Sequence, residues 1–258
     1  MVHCGGAVRL AASPDCRPDS PPCNNPYVRL HITVMAIAVF VAACGGSDPA
    51  EFAGVAPTAA EEAVLAADDL PPGWREAADS TLDRVELSAE CDVLSPEGAF
   101  PKAAATAFSP SFSTVDRRSA QSFSAVFESP GEASAALAEL DARVEGCRDE
   151  FQDAVREVAA AEIEADGLDL GPLARIDVSI DKGAPPDTGS EAVLYRVHVG
   201  VSVLGVGREF SADIALVREE RVVGALAYST YGRISEDDET AFVQVMARHL
   251  VDAEERLP

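Results

Sequence analysis

The residues with the most chemistry to offer are thiols. Cys44 sits in Val41-Ala42-Ala43-Cys44-Gly45-Gly46-Ser47-Asp48, directly behind an apolar run from Ile32 to Ala42. At ~1.5 Å of rise per residue, a helix of that run covers only about half of a ~30 Å hydrocarbon core. The run is too short for a membrane span and suits the apolar part of an export signal, with Arg29 and His31 as a thin basic segment ahead of it. Two small residues before the thiol leave room for a peptidase at the scissile bond, and the Gly, Gly, Ser and Asp behind it have nothing to pack.

Of the other cysteines, Cys4, Cys16 and Cys23 precede this segment, which leaves Cys91 and Cys147 downstream. Export puts that pair in an oxidising compartment, where a disulfide is the default. Closing so long a loop contributes ~3–4 kcal/mol on the chain-entropy estimate. Two buried free thiols are the alternative. A metal site has less support, because no His or third Cys lies at ligand spacing.

No catalytic constellation emerges elsewhere. The chain has no Gly-x-Ser-x-Gly elbow, no His-Glu-x-x-His, no phosphate-binding loop and no dinucleotide fingerprint. His198 falls on the polar side of a strand pattern and His249 near the end of a helical one, where a cation is favoured. Glu236-Asp237-Asp238-Glu239 suggests a divalent cation, but acids in the first turn of a helix are expected from its dipole. Gly205-x-Gly207 reads as a hairpin turn. No catalytic residue, metal ligand or cofactor is therefore expected.

Composition narrows the partners. With 44 acidic against 20 basic residues the formal net charge is −24. A surface of that sign repels nucleic-acid phosphates and anionic headgroups, so membrane attachment has to come from acyl chains. Only Lys102 and Lys182 stand among the basic residues, the rest being arginine, a bias typical of GC-rich genomes such as those of actinobacteria.

The elements that would position these residues read as helix, strands, helix, strands, helix. Thr58 caps a short helix that stops before Leu70-Pro71-Pro72-Gly73-Trp74, and Trp74 packs that turn onto the body. Thr81–Leu87 is a candidate strand, and Ser95-Pro96-Glu97 starts a helix that Pro101 limits. Phe123, Ala125 and Phe127 alternate with polar neighbours as in a half-buried strand. Ser129-Pro130 caps a helix whose stripe runs through Leu137 and Leu140 to Cys147, and weaker helical character continues to Ala165. After a break at Leu168–Pro172, Ile176–Ile180 is a strand and 181–190 a loop. Val193–Val203, Phe210–Leu216 and Val222–Tyr231 then form an antiparallel meander, and Ser235 caps the last helix. The fold class is α+β: one twisted antiparallel sheet with helices packed on one face, in a single domain.

Several of these pieces resemble the PknH-like sensor domains and the LpqN-type lipoproteins of actinobacterial cell envelopes. They are Leu65 through Asp69-Leu70-Pro71-Pro72-Gly73-Trp74, Phe123–Phe127 with Ser129-Pro130-Gly131-Glu132-Ala133, the helix ending at Cys147, and the closing meander and helix. Likewise, the segment around Cys44 resembles a bacterial lipoprotein signal with its lipobox. These resemblances imply a lipid-anchored domain on the extracytoplasmic side of the cell membrane, binding or sensing a ligand without catalysis. The sensor family usually carries two disulfides, and this chain has cysteines for one.

The expected organisation is an N-terminal extension over 1–27, foreign to the protein if translation starts near Val28, and a signal over 28–43. The lipidated Cys44 and a flexible tether fill 44–60, and the domain occupies 61–258. Any ligand, whether a small molecule, a lipid or an envelope partner, is expected between the Val193–Val203 and Phe210–Leu216 face and the long helices. Arg196 or Arg208 would stand at the rim, unless that face is simply a filled core. A lipid or glycolipid carrier, a scaffold and a hydrolase with an unrecognised site are the alternatives.

Overall fold

Side-chain alternation over the C-terminal half builds most of the sheet. A computed structural model describes residues 49–77, 85–165, 174–188, 190–203 and 206–258. Cys44, the expected extension and signal, residues 81–84 of the candidate strand, the break at 168–172, Gly189 and Gly205 lie outside them. Residues 85–87, the end of that candidate strand, carry no strand.

The described elements are α1 (Pro49–Glu62), a 3₁₀ turn (Ala67–Asp69), β1 (Arg75–Ala77), α2 (Pro96–Ala99), β2 (Ala105–Phe108), β3 (Ser111–Ser113) and β4 (Ser119–Val126). They continue with α3 (Pro130–Gly146), α4 (Arg148–Ala165), β5 (Ala174–Gly183), β6 (Glu191–Val203), β7 (Val206–Glu219), β8 (Val222–Tyr231) and α5 (Glu236–Glu254). The strands form one antiparallel sheet in the order β1-β3-β4-β8-β7-β6-β5, with β2 also paired to β4. The α+β class, the single sheet and the β6–β7–β8 meander agree with the sequence reading.

Helices pack on both faces of that sheet, not on one. On the first face Phe52 and Ala56 of α1 and Phe242, Met246 and Leu250 of α5 share a core with Ala120, Val126, Leu226 and Tyr228. On the second, Leu137 and Leu140 of α3 and Phe151 of α4 pack with Phe123, Tyr195, Val197, Val199 and Leu216. A strand alternates sides, so β8 sends Val222, Leu226 and Tyr228 to the first core and Val223 and Ala225 to the second. Strands apolar on both sides need cover on both. Each helical stripe in the sequence shows that a helix buries a face, but not which side of the sheet receives it.

The expected tether is also shorter than composition suggested. Helix α1 begins at Pro49, well before Thr58, and continues through Pro57. Its stripe of Phe52, Ala56, Ala59 and Ala60 is buried. Alanine reads as linker in a Gly- and Pro-containing segment, yet it is the best helix former and its small side chain lets the helix sit close to the sheet. Two buried serines of β4 lock the end of α1 in place. Ser124 Oγ donates to the Ala60 carbonyl at 2.6 Å, and Ser122 Oγ accepts from the Leu65 N–H at 2.8 Å.

On the other side of the same layer, α5 lies close enough to β8 that a Cβ on Gly224 would come within 2.8 Å of Met246 Sδ. Trp74 packs edge-on against Phe242 and near Tyr228, holding the turn after the 3₁₀ segment to this core. Ser129 caps α3 by accepting from the Glu132 N–H, and Ser235 caps α5 by accepting from the Asp238 N–H. Cys147 ends α3 and lies at bonding distance from Cys91, with Cα atoms 5.6 Å apart.

Candidate functional site

Along β6, the residues facing the α1–α5 layer change character midway. Ala192 and Leu194 belong to the core, whereas Arg196 and His198 beyond them are polar. Their register partners on β7 follow suit: Val217 and Ala215 give way to Asp213 and Ser211. The change falls where cover ends, because α5 starts at Glu236 and packs on β7 and β8. What remains is an open cleft of 670 Å³ floored by β5, β6 and β7 and walled by Arg233, Ile234 and the first turn of α5.

Its deepest charged groups are two carboxyls. Asp213 is 5% exposed, with Arg196 and Tyr228 as its neighbours across the ladders. Glu239, on the first full turn of α5, is 7% exposed and accepts from Arg196 Nη2 at 2.9 and 3.2 Å. That hydrogen bond to Glu239 raises the pKa of the Arg196 guanidinium.

Asp213 has no such donor, and its Oδ2 is buried without a hydrogen-bond partner. Burial first, and the Glu239 carboxyl beside it second, push Asp213 up to about 7, while Arg196 pulls the other way. The physical reason is that two carboxylates in one dry site cannot both ionise cheaply. A carboxyl in this position either takes a proton, which it can share with Glu239, or accepts a hydrogen bond from a group that enters the cleft.

His198 Nδ1 lies 3.2 Å from Ser211 Oγ, and Asp177 and Ser179 of β5 complete the floor. Ser211 is 2% exposed. Ile234 adds apolar surface at the margin. Among the described residues no group of three or more His, Cys, Asp or Glu is arranged to hold a metal ion. Of the acids at 236–239, Glu239 ties down Arg196 and Asp238 Oδ2 accepts from Tyr228 Oη at 3.4 Å.

This cleft lies on the face opposite the expected ligand groove. On the expected face Tyr195, Val197 and Val199, with Ala212 and Leu216, are buried under α3 and α4, where a gap of only 20 Å³ remains. That part of the face is a filled core. Arg196 does line a cleft, but on the polar side of its strand, and Arg208 is exposed without lining it. His249 is structural: its ring nitrogens lie 2.8 Å from the Glu62 carbonyl and 2.9 Å from Asp69 Oδ1, tying α5 to the end of α1.

Sequence reasoning missed Asp213 and Glu239, although a signal for the former exists. Asp213 interrupts the side of β7 that carries Ala215 and Val217, so it marks the point where that side loses its apolar partner.

A second groove of 520 Å³ opens on the other face, between residues 85–95 and the sheet, with Phe108, Phe123, Ile214 and Leu216 among its lining.

No protein-family profile matches the chain, and no curated protein matches it. Among solved structures the chain is similar to the extracellular domain of PknH from Mycobacterium tuberculosis. The identity is 12% and the TM-score 0.44, with 78% of this chain and 97% of that chain covered. The cleft is therefore argued from its own geometry.

Proposed function

We propose that this chain is an extracytoplasmic binding or sensing protein, held to the membrane by acyl chains on Cys44, whose polar cleft takes a small hydrophilic ligand without transforming it. The observation that carries the reading is Asp213: a buried carboxyl whose Oδ2 has no donor, in the wall of an open 670 Å³ cleft. Buried polar groups normally find partners, and an unpaired one costs about 1–3 kcal/mol. A ligand donor recovers that cost.

The test is a thermal-shift screen of amines, amino acids and glycan fragments against the full chain in detergent. A ligand at 100 times its dissociation constant adds ~2.7 kcal/mol of stability. Gly200→Trp serves as the blocked control, since Gly200 lines the cleft and a Cβ there meets only the Asp177 carbonyl oxygen, at 3.9 Å. A shift seen in the wild type and lost in Gly200→Trp supports the cleft. A shift that survives the block, or no shift across the panel, overturns it.

The anchoring is tested separately. Cys44→Ala abolishes acyl labelling and leaves an unprocessed precursor; a processed variant that still partitions into detergent refutes the anchor. Denatured, unreduced protein from an oxidising compartment shows no reactive thiol at Cys91 or Cys147 if the pair is bridged, and two if it is not.

Lipid carriage is a second reading, favoured by the 520 Å³ groove around Phe108, which is 48% exposed. An apolar lining suits acyl chains. Native mass spectrometry separates the two: a co-purifying lipid lost in Phe108→Glu supports carriage, and a clean apo mass removes it.

A further inference from the structure

We infer that the cleft recognises a small organic cation bearing N–H donors, a primary ammonium or a guanidinium, which donates to the Asp213 carboxyl. The inference rests on the cleft being the binding site and names the chemistry it accepts.

Charge in the cleft favours a cation. Asp177 of β5, Glu209 and Asp213 of β7, and Glu236 and Glu239 of α5 all line it. Against these five acids stand Arg196 and His198 of β6 and Arg233 of the link before α5. Arg196 is already committed to Glu239 through both carboxylate oxygens, so an anionic ligand would have to compete with that carboxylate for it.

The acceptor is equally specific. Asp213 Oδ2 is buried and accepts from no donor of the protein. A proton and an incoming N–H donor are therefore alternative occupants of one position. The exchange balances simply. The neutral carboxyl gives its proton to buffer, and the resulting carboxylate accepts from the ligand cation, so the charge of the site with its occupant is unchanged. Ile234 offers apolar surface for a short body behind the cationic head.

Two properties follow that a neutral ligand would lack. Because Asp213 is mostly protonated below pH ~7, binding there releases roughly one proton per ligand. Affinity then weakens as pH falls below 7, by up to about tenfold per pH unit.

The experiment is calorimetric titration of the full chain in detergent at pH 6, in phosphate and in a second buffer of larger ionisation enthalpy. The probes are butylammonium and agmatine as N–H cations, tetramethylammonium as a cation without donors, and butanol and glucose as neutral molecules. The expected result is binding of the first two with close to one proton released and little or no binding of the others. Asp213→Asn, which is isosteric with the protonated side chain and so retains the fold, abolishes the proton release. It also weakens the N–H cations by about tenfold or more, the worth of a charged hydrogen bond.

Binding of glucose or butanol without proton release, lost in Gly200→Trp, would overturn the cation inference while leaving the cleft as a binding site. Equal binding of tetramethylammonium would overturn the role of the N–H donors. Failure of both N–H cations at millimolar concentration would sink the inference outright. If the wider screen also fails, the cleft reading falls with it.

Discussion

The two faces of strands β6 and β7 solve opposite problems. On the side under α3 and α4 every second residue is apolar, the space directly beneath those helices is filled to a 20 Å³ gap beside the 520 Å³ groove, and the polar group that does enter is paired. Tyr195, 1% exposed, donates its hydroxyl to Asp141, which also accepts from Lys182 Nζ at 2.6 and 2.9 Å. On the other side, one residue along in each strand, Asp213 is as buried as a core residue but leaves an oxygen without a donor beside an open cleft. A satisfied buried network fixes a single structure, whereas an unpaired buried polar group is costly. The difference is what the proposed recognition on the polar face rests on.

Removing α1 from the first core should have the largest effect. A chain begun at Glu61 loses Phe52, Ala56, Ala59 and Ala60 from the first core. Losing a buried Phe alone costs about 3–5 kcal/mol, so this truncation should leave the domain largely unfolded by circular dichroism. A cooperative transition at an unchanged midpoint would show that α1 is dispensable and that the tether does extend to residue 60.

A core cut on the opposite face should be smaller and functionally silent. Leu137→Ala, in α3 and 1% exposed, should cost about 2–5 kcal/mol in urea unfolding. Affinity for any ligand of the cleft should not change at temperatures where the variant is folded. A large loss of affinity would break the division between the faces.

Asp213→Asn gives the most informative change in stability, because it is read against pH. The folded pKa of Asp213 lies above its unfolded value, so its contribution is complete below pH ~4 and is lost as pH rises to about 7. The melting temperature of the native chain should therefore fall between pH 4 and 7 relative to that of Asp213→Asn. Parallel curves would mean that Asp213 titrates as an ordinary surface acid.

Period-2 runs made β6, β7 and β8 legible, and Ser-Pro and Ser-x-x-Asp starts marked α3 and α5, because these signals are local. Helix α1 was not legible: its buried stripe is mostly alanine, and Gly54 and Pro57 lie within it. The two-sided cover was written in residues 193–195 and 215–217, which are apolar on consecutive positions, as only strands packed on both faces are. Glu239 was hidden by its company. Acids at 236–239 are explained by the helix dipole until the fold brings Arg196 of β6 against one of them. Long-range pairing of charges on elements more than 40 residues apart leaves no local trace.

The claim that recognition belongs to the polar face reduces to the state of one carboxyl. Carbon-13 NMR of the side-chain carboxyl of Asp213, assigned by comparison with Asp213→Asn, measures it directly. The account predicts a titration midpoint near 7 in the free protein, displaced to lower pH when butylammonium is added. A midpoint near 4, insensitive to the amine, would contradict it.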